Sequence, residues 1–99
     1  MHPHQHRIDL CDKALEAIRP AIPDDLFREV DRYINRFDQW GLGMEELIDG
    51  LGEFEIEISP EQFDLIQAAM DSMGLGACDR IVHLREHGVS RKPSPPSNP

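Results

Sequence analysis

Apolar residues recur along most of this chain at steps of three and four. Ile8, Cys11, Leu15 and Ile18 mark one such stripe, and Leu26, Val30, Tyr33, Ile34 and Phe37 mark a second. That spacing puts each set on one face of an α-helix. Pro20 and Pro23 separate the two helices, and Asp24 or Asp25 is placed to cap the second, whose first amide groups have no partner inside the helix. Arg28, Arg32 and Arg36 fall four apart beside Glu29 and Asp31, the pattern of a solvated, partly paired face. Trp40-Gly41-Leu42-Gly43 reads as a break, because two glycines so close together let the chain turn sharply. Trp40 then closes the second helix. Met44, Leu47, Ile48 and Leu51 begin a third stripe, with Glu45, Glu46, Asp49 and Glu53 in the complementary positions and Gly52 helping to stop the helix.

Glu53-Phe54-Glu55-Ile56-Glu57-Ile58 alternates acid and apolar with the period of a strand. No second strand candidate exists to pair with it. Residues 53–58 are therefore expected to form an extended connector that pins Phe54, Ile56 and Ile58 on the core, with a docking edge for a partner's strand as the alternative. In Ser59-Pro60-Glu61-Gln62, Ser59 suits the N-cap, Pro60 the first helical position, and Gln62 completes a capping box. The helix it opens carries Phe63, Leu65, Ile66, Ala69, Met70 and Met73, and Gly74 is its stop. A last helix from near Ala77 to Glu86 presents Cys78, Ile81, Val82 and Leu84. The histidine-containing residues 1–6 and the Pro/Ser-rich residues 88–99 have too few apolar groups to order themselves. The prediction is an all-α fold: a compact antiparallel bundle of four to five short helices over 7–87, with the extended connector inside it.

Charge adds what periodicity cannot. Of 19 acids and 10 bases in 99 residues, net charge −9, eleven acids and no base lie between Phe37 and Asp79. The remainder of the chain is slightly basic. Concentrated like charge repels itself and weakens a compact fold, so its natural use is an electropositive partner. The same block would be repelled by a phosphate backbone or an anionic membrane, so no nucleic acid and no membrane is expected as a partner. No run of about 18 apolar residues is present to cross a bilayer, and Met1–His6 is no signal peptide. The chain reads as cytoplasmic, a monomer or weak homo-oligomer, with Cys11 and Cys78 as reduced, buried thiols.

Candidate chemistry is thin. His2, His4 and His6 sit on a short unanchored peptide, and His83 and His87 lie one turn apart with Asp79 a turn earlier. Zinc needs three or four converging ligands, so neither group is read as a metal site and no cofactor is expected. Gly41, Gly43, Gly50 and Gly52 lack phosphate-loop spacing. Glu45, Glu46 and Asp49 on an exposed helical row offer no cleft for acid–base work, so the chain is read as a binding protein and not an enzyme. Trp40, at the edge of the acidic block, is either a core residue or an interface anchor.

Residues 33–51, from Tyr33 through Trp40-Gly41-Leu42-Gly43-Met44-Glu45 to Leu51, resemble the signature of MafI-type immunity proteins, small bacterial antidotes to contact-delivered polymorphic toxins. Trp40 matches the family's aromatic position, Gly43 its small position and Glu45 its glutamate. Residues 56–62 and Met73-Gly74-Leu75 match its acidic connector, Ser-capped helix and Met-Gly exit. The likeness spans about residues 24–84; the acid that usually precedes the aromatic is Gln39 here, with Asp38 one step earlier. The resemblance implies an all-helical inhibitor of a cognate toxin domain, usually a basic nuclease. Asp38, Trp40, Glu45, Glu46, Asp49, Glu53, Glu55 and Glu57 are the expected contact residues: acids to steer and pair, Trp40 to anchor. The alternative is a helical adaptor or regulator of a basic nucleic-acid-binding protein.

Overall fold

The structure, a computed structural model, describes residues 4–90; His2 and the Pro/Ser-rich residues 91–99 lie outside the described residues. It is all-α, with five α-helices among those residues: α1 (Gln5–Ile18), α2 (Asp24–Asn35), α3 (Trp40–Glu53), α4 (Pro60–Ser72) and α5 (Asp79–His87). A 3₁₀ turn over Arg19–Ala21 links α1 to α2. The apolar stripes meet in one core, in which Cys11, Leu15, Ile18, Val30, Ile34 and Met44 are buried with Leu47, Leu51, Ile66, Met70 and Ile81.

Two pairs of helices run antiparallel. Gln62 at the start of α4 donates to the carbonyl of Ala17 near the end of α1 (3.0 Å). Arg7 near the start of α1 donates to the carbonyl of Ser72 at the end of α4 (2.9 Å). Along α3, Gly43 faces Ile34 and Tyr33 of α2, whereas Gly50 faces Leu26. A methyl group built on Gly43 would lie 3.0 Å from the Ile34 side chain and 3.3 Å from the Val30 carbonyl oxygen. These glycines, seven residues apart on one helical face, let the two backbones approach closely. Helix α5 instead runs parallel to α3: Asp49 of α3 meets Arg80, and Glu55 just beyond α3 shares a groove with His87.

Several boundaries differ from the periodicity. Gln5 and His6, expected to be unordered, already belong to α1. Pro23, not Asp24 or Asp25, holds the N-cap position of α2, and the two acids occupy its first turn, where they face the positive end of the helix dipole. Trp40 opens α3 and does not close α2, and Gly41 and Gly43 are helical. The turn falls over residues 36–39 instead, with Asp38 in the left-handed region (φ 53°), which a short polar side chain tolerates. Phe37, past the end of α2, is half exposed and edge-on to Tyr33.

The connector is also shorter than the alternation suggested. Helix α3 continues through Glu53, and Phe54 sits at its C-cap, 51% exposed rather than pinned on the core. Ile58 is buried, and its edge is covered from within the chain. Its amide donates to the carbonyl of Gly88 (2.9 Å) and its carbonyl accepts from Ser90 (2.8 Å), a parallel bridge to Val89. Residues 88–90, expected to begin an unordered tail, thus supply the pairing partner that no strand-like run announced. The capping box is present as predicted: Gln62 N to Ser59 Oγ is 3.0 Å and Ser59 N to Gln62 Oε1 is 2.8 Å.

Candidate functional site

Eight residues were expected to form one contact surface, and the fold divides them. Asp38 and Trp40 lie at the N-terminal end of α3. Glu53 lies thirteen residues on, about 20 Å away at 1.5 Å per residue. Trp40 is half-buried, packs on the core, and its ring lies 4.7 Å from that of His4. That contact ties the start of α1 to the start of α3. The other six residues follow the solvent side of α3 and the segment after it.

Glu45, Asp49 and Glu53 are four apart and share one face of α3. Arg80, one residue beyond the base-free block, reaches that face from α5. It donates from Nε to Asp49 Oδ1 (2.9 Å) and from Nη2 to Asp49 Oδ2 (3.1 Å), and its Nη1 is 3.5 Å from Glu45 Oε2. The hydrogen bond and charge of Asp49 push the guanidinium further toward its protonated form. A planar fork on a carboxylate fixes orientation as well as charge. The clamp neutralises part of the acidic face, and nothing in the linear charge pattern announced it.

Glu46 lies on the α2 side of α3 and has a different fate. Its carboxyl is raised above the usual carboxylate range, first by a hydrogen bond with Glu29 of α2, then by partial burial and by repulsion from Glu29, Asp49 and Glu53. Like charge this close disfavours the ionised form, so the Glu46 carboxyl holds its proton more tightly than an isolated one.

What remains open is the far end. Glu53, Glu55 and Glu57 are exposed and carry no ion pair among the described residues. Beside them runs a groove of about 280 Å³ between the end of α3, the connector and α5. Ile48, Leu51, Ile56 and Leu84 supply its apolar surface. Glu55 and Glu57 edge it on the connector side, and His83 and His87, their rings 4.7 Å apart, edge it on the α5 side.

The local folding explains Glu55. At the end of α3, Ile56 N donates to Leu51 O (2.9 Å) and Glu55 N donates to Gly52 O (3.2 Å), with Glu55 at φ 54°. This is the Schellman closure, whose left-handed position usually belongs to glycine. It folds Ile56 back beside Leu51 and sends the Glu55 backbone past the groove. Gly52, expected to help stop the helix, is still helical, and a Cβ there would meet nothing within 4 Å.

Among the described residues no three His, Cys, Asp or Glu side chains converge as a metal site, and no helix is long and apolar enough to cross a membrane. Burial raises the Cys11 thiol to about 12, with a further push from Asp12, and Cys78 is half-buried and unbonded to it. The arrangement suits reversible binding of a cation-bearing surface. No family model, curated protein or solved structure matches this chain.

Proposed function

We propose that this chain is a cytoplasmic binding protein for a basic protein domain, and that it acts as an immunity protein by covering a cognate nuclease-type toxin. It works by occupation and needs no catalytic step. The observation that supports the reading is the open anionic end of α3: Glu53, Glu55 and Glu57, which form no ion pair among the described residues, beside a mostly apolar groove whose other edge carries His83 and His87. A nuclease holds phosphates with a basic surface, and an acidic inhibitor both steers toward such a surface and excludes the nucleic acid from it. The resemblance of residues 33–51 to MafI-type immunity proteins supports the toxin as the kind of partner.

The test is co-expression with the basic effector domain encoded beside this chain's gene. Wild-type chain should restore growth and bind the domain, more weakly as salt rises. Reversal of Glu53, Glu55 and Glu57 to lysine should slow association and abolish protection. Binding untouched by that reversal would reject the reading. If loss of the gene alters expression of other genes and causes no self-poisoning, the partner is a basic regulator and not a toxin.

A further inference from the structure

We infer that the α3–α5 groove receives one large apolar side chain from a basic segment of the partner, with lysine or arginine on either side of it meeting Glu55 and Glu57. This rests on the proposed function and assigns it a place. The groove is smaller than the roughly 300–1,000 Å³ of typical small-molecule pockets, which favours a side chain over a cofactor. Ile48, Leu51, Ile56 and Leu84 line it, so the inserted group must be apolar. Glu55 and Glu57, which form no ion pair among the described residues, stand at its connector edge and His83 and His87 at its α5 edge, so cationic flanking groups fit on the connector side. An anchor in a desolvated pocket, ringed by polar contacts, is how interfaces concentrate affinity.

The other occupant at hand is a second copy, whose α2 row of Arg28, Arg32 and Arg36 is basic. A net charge of −9 on each chain opposes that pairing. Gly52 offers a clean block. It lines the groove and is exposed, and a Cβ built there would meet nothing within 4 Å, so Gly52→Leu puts an aliphatic side chain at the groove mouth without a backbone clash.

The probe is a synthetic pentapeptide, Lys-Lys-Leu-Lys-Lys with both ends blocked, titrated into the full chain while amide resonances are followed. Shifts should centre on Gly52, Ile56 and Leu84. Replacement of its leucine by serine, or Gly52→Leu in the protein, should weaken binding about tenfold, the order expected for losing one buried aliphatic side chain. Glu55→Gln, which preserves shape, should weaken it as well and covers the case in which Gly52→Leu disturbs the fold. Equal affinity for the leucine and serine peptides, shifts confined to the Phe37–Leu42 end, or a dimer by light scattering would each overturn the inference. A toxin still neutralised by the Gly52→Leu chain would overturn the groove and leave the immunity reading standing. Specific peptide binding with no toxin protection would do the reverse.

Discussion

The C-terminal ends of α3 and α4 close with the same two hydrogen bonds. In α4, Leu75 N donates to Met70 O and Gly74 N to Asp71 O; in α3, Ile56 N donates to Leu51 O and Glu55 N to Gly52 O. Both left-handed positions have similar backbone angles, φ 75° at Gly74 and 54° at Glu55. The residue differs, and so does the C-cap bond, Phe54 N to Gly50 O in α3 and Met73 N to Met70 O in α4. Glycine takes the left-handed conformation freely, whereas a residue with a longer side chain, such as glutamate, is strained there by about 1–2 kcal/mol. The α4 end is built for stability. The α3 end keeps a strained carboxylate at the mouth of an apolar groove, the kind of local conflict that gathers where a protein binds something.

The largest effect is expected at the apolar clasp that both helix ends share. Leu51 and Met70 hold equivalent positions and are both buried, so Leu51→Ala and Met70→Ala should each lower unfolding free energy by about 2–5 kcal/mol in urea titrations. A large difference between them would show that the two ends are not energetically alike. Next comes the left-handed position itself. Gly74→Ala meets no neighbour within 4 Å, so its loss should be the backbone cost alone, about 1 kcal/mol. Glu55→Gly should move the other way, a gain of up to about 1 kcal/mol, reduced because glycine also frees the unfolded chain. The same variant should bind a basic partner more weakly. A destabilised Glu55→Gly chain would break the comparison.

The smallest effect lies on the α2 side of α3. Glu46 titrates above its ordinary value in the folded chain, so the folded state holds its proton more tightly than the unfolded one. Its contribution is complete below the ordinary carboxylate range and is lost as pH rises through the raised native value. Glu46→Gln keeps a hydrogen-bonding group toward Glu29 and removes that loss. Since the pair is partly exposed and screened by solvent, the gain should be only about 0.5 kcal/mol at neutral pH, vanishing near pH ~4. Urea midpoints at the two pH values measure it, and equal differences at both would exclude the upward shift at Glu46.

Much of this fold was legible from spacing. The buried faces of α1, α2, α3 and α4 follow the predicted stripes, except that Phe37 lies past the end of α2 and is half exposed, and the Ser59–Gln62 capping box and the Gly74 exit stand where local chemistry put them. The errors share a cause. Gly41, Gly43 and Gly52 were read as breakers because glycine favours turns. Yet Gly43 is helical, and a Cβ there would press on Ile34 and Tyr33, so the reason for a glycine at this position lies on another helix. Phe54 looked like a core residue because a two-residue period continued through a point where the backbone was still helical.

The candidate site divides along the same line. That the chain carries a base-free acidic block, that its acids follow the outer side of an amphipathic helix, and that its helices are amphipathic at all are properties of residue order, because helical geometry maps spacing onto faces. Which acids remain open is not. Arg80 lies 31 residues from Asp49 and Glu29 lies on a different helix from Glu46, so the Arg80 clamp and the raised Glu46 titration exist only once α5 and α2 have packed against α3. The groove likewise forms only where α3, the connector and α5 converge. Electrostatic pairing and concavity depend on distance in space, and that distance is set by the packing of the core.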